Sequence, residues 1–265
     1  MKRGSVIIIG AGLGGLECGY ILAKNGMQVT VLEHEGQVGG CLQTFRRGAA
    51  LFDTGFHYVG ALDEGESLHT LFSYFDLMGL PWKKLDEDCF DEVVIGEDTF
   101  AFANKHQRFY ERMAARFPKE REGLKKYVDF LKGVGDHIFD AFKGDESKRH
   151  TYTLLSRSAY EFLNETIQNP LLRKVLSGTS LKMELNAPTL PLYTFAQIND
   201  SFIRSAWRLR GGGSQIADKL VEGILSMGGE VRTRAAVTYI KEENGKAVGV
   251  IVNEEDYLEV DWIIS

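Results

Sequence analysis

Gly10, Gly12 and Gly15 follow the apolar run Val6-Ile7-Ile8-Ile9 and lead into a helical pattern, while Glu33 closes a second apolar run, Gln28-Val29-Thr30-Val31-Leu32. Residues of these types at this spacing can bind a pyrophosphate and a ribose. Gly10 permits a tight turn out of a strand, Gly12 lets backbone N–H groups approach a diphosphate, and Gly15 lets the helix pack closely on the strand. The helix N-terminus adds its partial positive charge toward the phosphates. An acid about 20 residues beyond the glycines accepts hydrogen bonds from an adenosine ribose and disfavours a 2′-phosphate, so FAD or NAD is expected and NADP is not. The predicted contact set here is Gly10, Gly12, Leu13, Gly14, Gly15, Glu33 and His34.

These groups need a strand, a helix and a second strand to position them, and the first 32 residues carry that pattern. Lys2 and Arg3 ahead of an apolar run imitate a signal peptide. The glycines from Gly10 to Gly19 and the charge of Glu17 spoil an h-region, and no small-residue cleavage site stands out. A cytoplasmic chain is expected. Its 265 residues allow one or two domains, and 44% hydrophobic with 26% charged residues is ordinary for a globular protein. No run of about 18 apolar residues would span a bilayer. A net charge of -6 gives no global attraction for nucleic acid. Cys18, Cys41 and Cys89 have no zinc-type spacing, so no metal is expected, and they read as reduced thiols.

A second glycine pair lies directly beyond the ribose acid, in Gly39-Gly40-Cys41, and is followed by Phe52-Asp53-Thr54-Gly55-Phe56-His57-Tyr58. On these segments the chain resembles the phytoene desaturase, carotenoid isomerase and retinol saturase family of FAD-dependent oxidoreductases, closest to the saturase and isomerase branch. The resemblance implies FAD, with Gly39, Gly40 and Cys41 near the pyrophosphate and ribityl chain. Many relatives have Arg where this chain has Cys41, so a contact from that Arg does not carry over. Packing or backbone proximity is the favoured role for Cys41 over a redox one.

The predicted fold class is α/β: a discontinuous Rossmann-type FAD-binding domain over residues 1–60 and 205–265, with an inserted α+β substrate domain over 61–204. In the second piece, Arg210-Gly211-Gly212-Gly213 leads to Ser214 as a plausible N-cap, then to a helix through Ile216, Leu220, Ile224 and Met227 that ends at Gly228-Gly229. A short strand, Glu230 to Thr233, precedes a meander over 236–241, 247–253 and 257–261, turned at Asn244-Gly245. The resemblance places backbone near Val237 beside the adenine. Trp262-Ile263-Ile264-Ser265 reads as a buried parallel strand, and relatives carry a late glycine-acid motif with no counterpart here; a truncated chain is expected over a naturally short relative.

In the insertion, residues 90–95 and 99–103 alternate around Gly96-Glu97-Asp98 as a hairpin. Asn104 is the expected N-cap of a helix with Phe109, Met113 and Phe117 on one stripe and Arg108, Arg112 and Arg116 beside it. Two readings compete: a peripheral helix on anionic lipid, and a core-facing helix with a solvated basic edge, which is the default. Leu124, Val128, Leu131, Ile138 and Phe142 mark a further helix that Gly133 and Gly135 would loosen. Tyr193, Phe195, Phe202 and Trp207 line an apolar pocket or fill a core.

The chemistry expected is that of a flavin acting on an apolar small molecule: a carotenoid, retinoid or similar polyene undergoing saturation, desaturation or isomerisation. In the family arrangement residues 52–59 return toward the cofactor, which makes His57 and Tyr58 the candidate proton-transfer or orienting groups. Both also fit purely local hydrogen bonding, and Asp53 fits a role holding a loop through backbone N–H groups. The alternatives are an amine-oxidase-like flavoenzyme and a non-catalytic FAD-binding fragment of a longer protein. The oligomeric state is left open.

Overall fold

The computed structural model describes residues 4–139, 145–184, 186 and 188–265. The chain divides into one unit of Met1–His57, Leu71–Trp82 and Leu209–Ser265, and another of Tyr58–Thr70 and Lys83–Arg208.

In the first unit, β1 (Ser5–Ile9), α1 (Leu13–Lys24) and β2 (Gln28–Leu32) open a parallel sheet. Its order is Glu230–Arg232, β2, β1, Trp262–Ile264, and all neighbours run parallel, with Ile8 opposite Val31 and Val6 opposite Trp262. The continuous apolar runs follow from burial on both faces. Ile8 and Val31 approach α1 at Gly19, together with Ile224 of the helix Ser214–Ser226. Ile7 and Leu32 pack with Ala235, Val250, Val252 and Val260 on the opposite face. That cover is the antiparallel meander Val237–Glu243, Lys246–Val252 and Asp256–Glu259. Asn244 (φ 53) and Gly245 (φ 76) turn its first hairpin with both central residues left-handed, as a two-residue turn between twisted strands requires.

Three local expectations are corrected here. Ser214 is the first helical residue and not the cap, a position taken by Gly213 without a side-chain hydrogen bond. Trp262–Ile264 pairs with β1 as a strand, but at the sheet edge with Trp262 exposed, so it is not buried. Leu71–Trp82, read as part of the insertion, packs in the first unit: the Tyr20 ring of α1 meets Phe75 edge-on at 5.3 Å, and Trp82 Nε1 donates to Leu77 O.

The second unit has a hairpin, Asp91–Ile95 with Asp98–Phe102, whose register pairs Ile95 with Asp98. Around it stand helices His106–Arg116, Arg121–Asp136, Ala159–Thr166, Pro170–Leu176 and Leu192–Arg204. Phe109, Met113, Tyr127, Leu131 and Phe195 centre its core. The stripe of Phe109, Met113 and Phe117 is therefore spent on packing, and the flanking arginines face acids: Arg108 with Glu87 and Asp88, Arg112 with Asp88, Arg116 with Asp98. The stripe faces the core, as in the default reading of this helix. Asn104 does not cap it either; Lys105 takes that position with φ 67, while the buried Asn104 amide donates to Phe202 O.

Nor do the glycines loosen the next helix, which runs unbroken through Gly133 and Gly135 to Asp136; Ile138 lies beyond its end and Phe142 outside the described residues. A Cβ on Gly135 would stand 1.7 Å from Asp200 Oδ2, whereas one on Gly133 would meet nothing within 4 Å. Asp200 is buried, facing His106 Nε2 at 2.6 Å and accepting from Arg204 Nε at 2.5 Å, so it cannot step aside cheaply. Two substitutions two residues apart should then have opposite signs. Gly133→Ala is expected to stabilise by about 0.5–1 kcal/mol, and Gly135→Ala to destabilise by about 1–3 kcal/mol through overpacking. Urea denaturation of both variants reads this directly.

Candidate functional site

Two glycine turns meet in the first unit. Gly10 adopts φ +99 and its N–H donates to Leu32 O at 2.7 Å, which turns the chain sharply out of β1. Gly12 is the N-cap of α1 (φ -70) with no side-chain capping bond, so the free N–H groups of the first helical turn are left for a ligand or water. A Cβ on Gly10, Gly12 or Gly14 would meet nothing within 4 Å, leaving a concavity open at those positions. At Gly15 a Cβ would lie 2.1 Å from Gly10 O, so that glycine is required by helix–strand packing. Leu13, the first residue of α1, is exposed beside the turn.

The second pair lies against the first. Gly39 (φ 106) donates its N–H to Ala11 O at 2.7 Å and bridges Gly12, and a Cβ on Gly40 (φ 53) would stand 3.4 Å from Gly12 Cα. On its other side Gly39 approaches Ala217 of the helix Ser214–Ser226. The Cys41 carbonyl accepts from Thr54 Oγ1 at 3.1 Å, while the residue itself is exposed. Asp53 Oδ1 accepts from Gly213 N at 2.6 Å, fastening the loop before that helix; this is the loop-holding role weighed for it.

Glu33 is buried at the rim of the same concavity. Its Oε2 accepts from Ala11 N at 2.8 Å and its Oε1 from Glu35 N at 2.9 Å. Exposed His34 sits with its two ring nitrogens near the Glu33 and Glu35 carboxylates. The segment before Val237 runs alongside, with Ala235 N donating to Glu33 O and Arg234 N to Glu35 O. The structure thus brings Gly10–Gly15, Glu33, Gly39, Gly40 and the approach to Val237 together. Sequence reading missed Ala11, whose backbone joins both turns to Glu33; a side-chain motif has no signal for a backbone donor. An open glycine cradle with helix N–H groups and a carboxylate at its rim matches the chemistry of an adenine dinucleotide.

His57 and Tyr58 part company. His57 is exposed at the end of the first unit's opening segment and makes no side-chain hydrogen bond among the described residues. Tyr58 belongs to the second unit, where its hydroxyl donates to Asp91 Oδ2 at 2.6 Å. Lys182 Nζ donates to the same Asp91 oxygen at 2.7 Å and also to the Tyr58 hydroxyl. The Tyr58 ring lies against Phe202, centroids 4.6 Å apart. Burial, then the hydrogen bond and charge of Asp91, push the Tyr58 phenol far above its ordinary range. Burial also pushes the Asp91 carboxyl up, but the Lys182 and Tyr58 hydrogen bonds and the Lys182 charge outweigh it and hold it below the usual carboxylate range. Asp91 and Lys182, 91 residues apart, were invisible to motif spacing.

With this geometry in place, comparison with known proteins identifies the class. The family model for flavin containing amine oxidoreductases matches residues 13–265, and the chain belongs to that family. All-trans-retinol 13,14-reductase of Danio rerio is 30% identical over 98% of this chain and 46% of its own length. The chloroplastic prolycopene isomerase of Daucus carota is 24% identical over 92% of this chain and 43% of its own. The chain thus spans less than half the length of these curated relatives. An oxidoreductase from Methanosarcina mazei superposes with a TM-score of 0.68 at 19% identity, over 98% of this chain and 58% of that one, a likeness of fold. The resemblance read from Gly39-Gly40-Cys41 and residues 53–58 is borne out, and FAD is the cofactor.

Gly12 and Gly15 separate binding from packing. Gly12→Ala places a methyl in open space at an allowed φ, so a melting temperature near the parent's is expected together with at least about tenfold weaker FAD binding; Gly15→Ala should lower the melting temperature itself. For the polar cluster, a carboxyl depressed in the folded state stabilises above its unfolded pKa and loses that contribution as pH falls through the folded one. Lys182→Met is expected to cost about 1–2 kcal/mol at neutral pH, shrinking below about pH 4, in denaturation measured across pH.

Proposed function

We propose that this chain provides the FAD site and part of the substrate site of an oxidoreductase acting on an apolar polyene of the retinoid or carotenoid class, by saturation, desaturation or isomerisation. The observation that carries the cofactor half is the Gly39–Gly40 pair pressed on Gly12 beside Glu33. The substrate class rests on relatives named for retinol and prolycopene, and this ranks the polyene reading above an amine substrate.

In this reading the N–H groups around Gly10, Gly12, Leu13, Gly14 and Gly15 hold the diphosphate, with Gly39, Gly40 and the Cys41 backbone closing over it. Glu33 and His34 serve the ribose, and backbone at Val237 serves the adenine. A bound flavin supplies hydride transfer from its ring. Saturation of a double bond then needs a proton from the protein. Tyr58 is poorly suited to give one, since its proton is held on Asp91 while Lys182 donates to its oxygen; it orients. His57, exposed and uncommitted, is the residue that exchanges the proton. An apolar substrate of this kind partitions into lipid, so transient peripheral contact with a membrane belongs to the proposal.

The test is anaerobic incubation of FAD-loaded protein with dithionite and all-trans-retinol or prolycopene, with products separated by chromatography. Formation of a dihydro or isomerised polyene is expected, reduced about 100-fold in His57→Ala at unchanged flavin content. Peroxide release from primary amines in a parallel aerobic assay without dithionite, with no polyene converted in the anaerobic one, would overturn the substrate class.

A further inference from the structure

A cleft of about 490 Å³ opens in the second unit. Its volume falls within the roughly 300–1,000 Å³ of small-ligand sites. The floor is apolar, with Leu163, Pro170, Leu190 and Phe195, contributed by three helices and the segment before the last of them. Its mouth keeps apolar side chains in water, Tyr160 at 55% and Leu181 at 79% exposed. A folded chain holds such groups at a cleft mouth at a cost in hydration, which an apolar ligand would recover.

The charges at the rim select the ligand's other end. The Arg173 guanidinium is committed to the carbonyls of Ile167 and Gln168, at 2.8 and 3.0 Å. Glu184 Oε1 accepts from Asn186 N at 2.9 Å. Lys174 is exposed and has no partner among the described residues. Arg173 and Lys174 set against Glu184 leave one net positive charge at the rim above an apolar floor, which fits a single-chain amphiphile carrying one negative charge.

We infer that this cleft is a second small-molecule site, which takes a long-chain monocarboxylate with its tail on Leu163 and Phe195 and its carboxylate at Lys174. Every residue it uses lies in the second unit.

The probe is cis-parinaric acid, a fluorescent long-chain carboxylate, titrated into the flavin-loaded chain with oleate and oleyl alcohol as competitors. Parinarate is itself a polyene, so saturating all-trans-retinol is kept present to occupy the substrate site of the proposed function; one further saturable site is then expected, with oleate competing better than the alcohol. Lys174→Glu should weaken parinarate about three- to tenfold and abolish the preference for oleate over the alcohol. Leu163→Trp should fill the floor and remove binding. Since that substitution reaches a core position, Leu181→Glu serves beside it: it perturbs only the mouth and should weaken parinarate with circular dichroism and flavin absorbance unchanged. Absence of saturable binding, or parinarate affinity unaltered in both Lys174→Glu and Leu181→Glu, would overturn the site.

Discussion

Backbone meets backbone where the turn after β1 crosses the glycine pair beyond β2. Gly39 donates to Ala11 O, Gly40 leans on Gly12, and Glu33 draws Ala11 N toward itself from below. Gly39 and Gly40 both hold left-handed backbone there, and that conformation is why the chain has glycine at the pair. What remains is a concavity lined with N–H groups at the N-terminus of α1. The parallel sheet, the helix Ser214–Ser226 and the meander all serve to hold that crossing rigid: Ala217 backs Gly39, and Asp53 fastens Gly213.

Much of this was legible because it is written in local rules. Burial made β1 apolar from Val6 to Ile9 and placed Val29, Val31 and Leu32 inside β2, and positive φ demanded Gly10 and Gly39. The Asn244-Gly245 turn and the hairpin at Gly96 are equally local. What escaped reading was set by partners distant in sequence. Gly135 looks like a helix breaker until Asp200 stands where its Cβ would be. Asn104 looks like a cap until its amide finds Phe202 O, and the acids that meet the Arg108–Arg116 edge come from other segments. Tyr58 could be singled out from sequence, but Asp91 and Lys182, which decide what its hydroxyl does, could not.

Carboxylates are fixed in two ways in this chain. Around Glu33 the carboxylate is satisfied by backbone N–H groups, which fix it in place. In the second unit carboxylates are held by cations: Asp91 by Lys182, Asp200 by Arg204. The first arrangement leaves an anion-accepting surface, whereas the second uses ion pairs to fix aromatic and helical packing.

The central claim is that the paired glycine turns and Glu33 recognise the ADP half of FAD. Calorimetric titration of the chain with FAD, repeated with ADP or riboflavin present, tests it most directly. One FAD per chain, displaced by ADP and indifferent to riboflavin, is the expected result. FAD binding that ADP leaves untouched would contradict it, because the cradle would then not be what holds the cofactor.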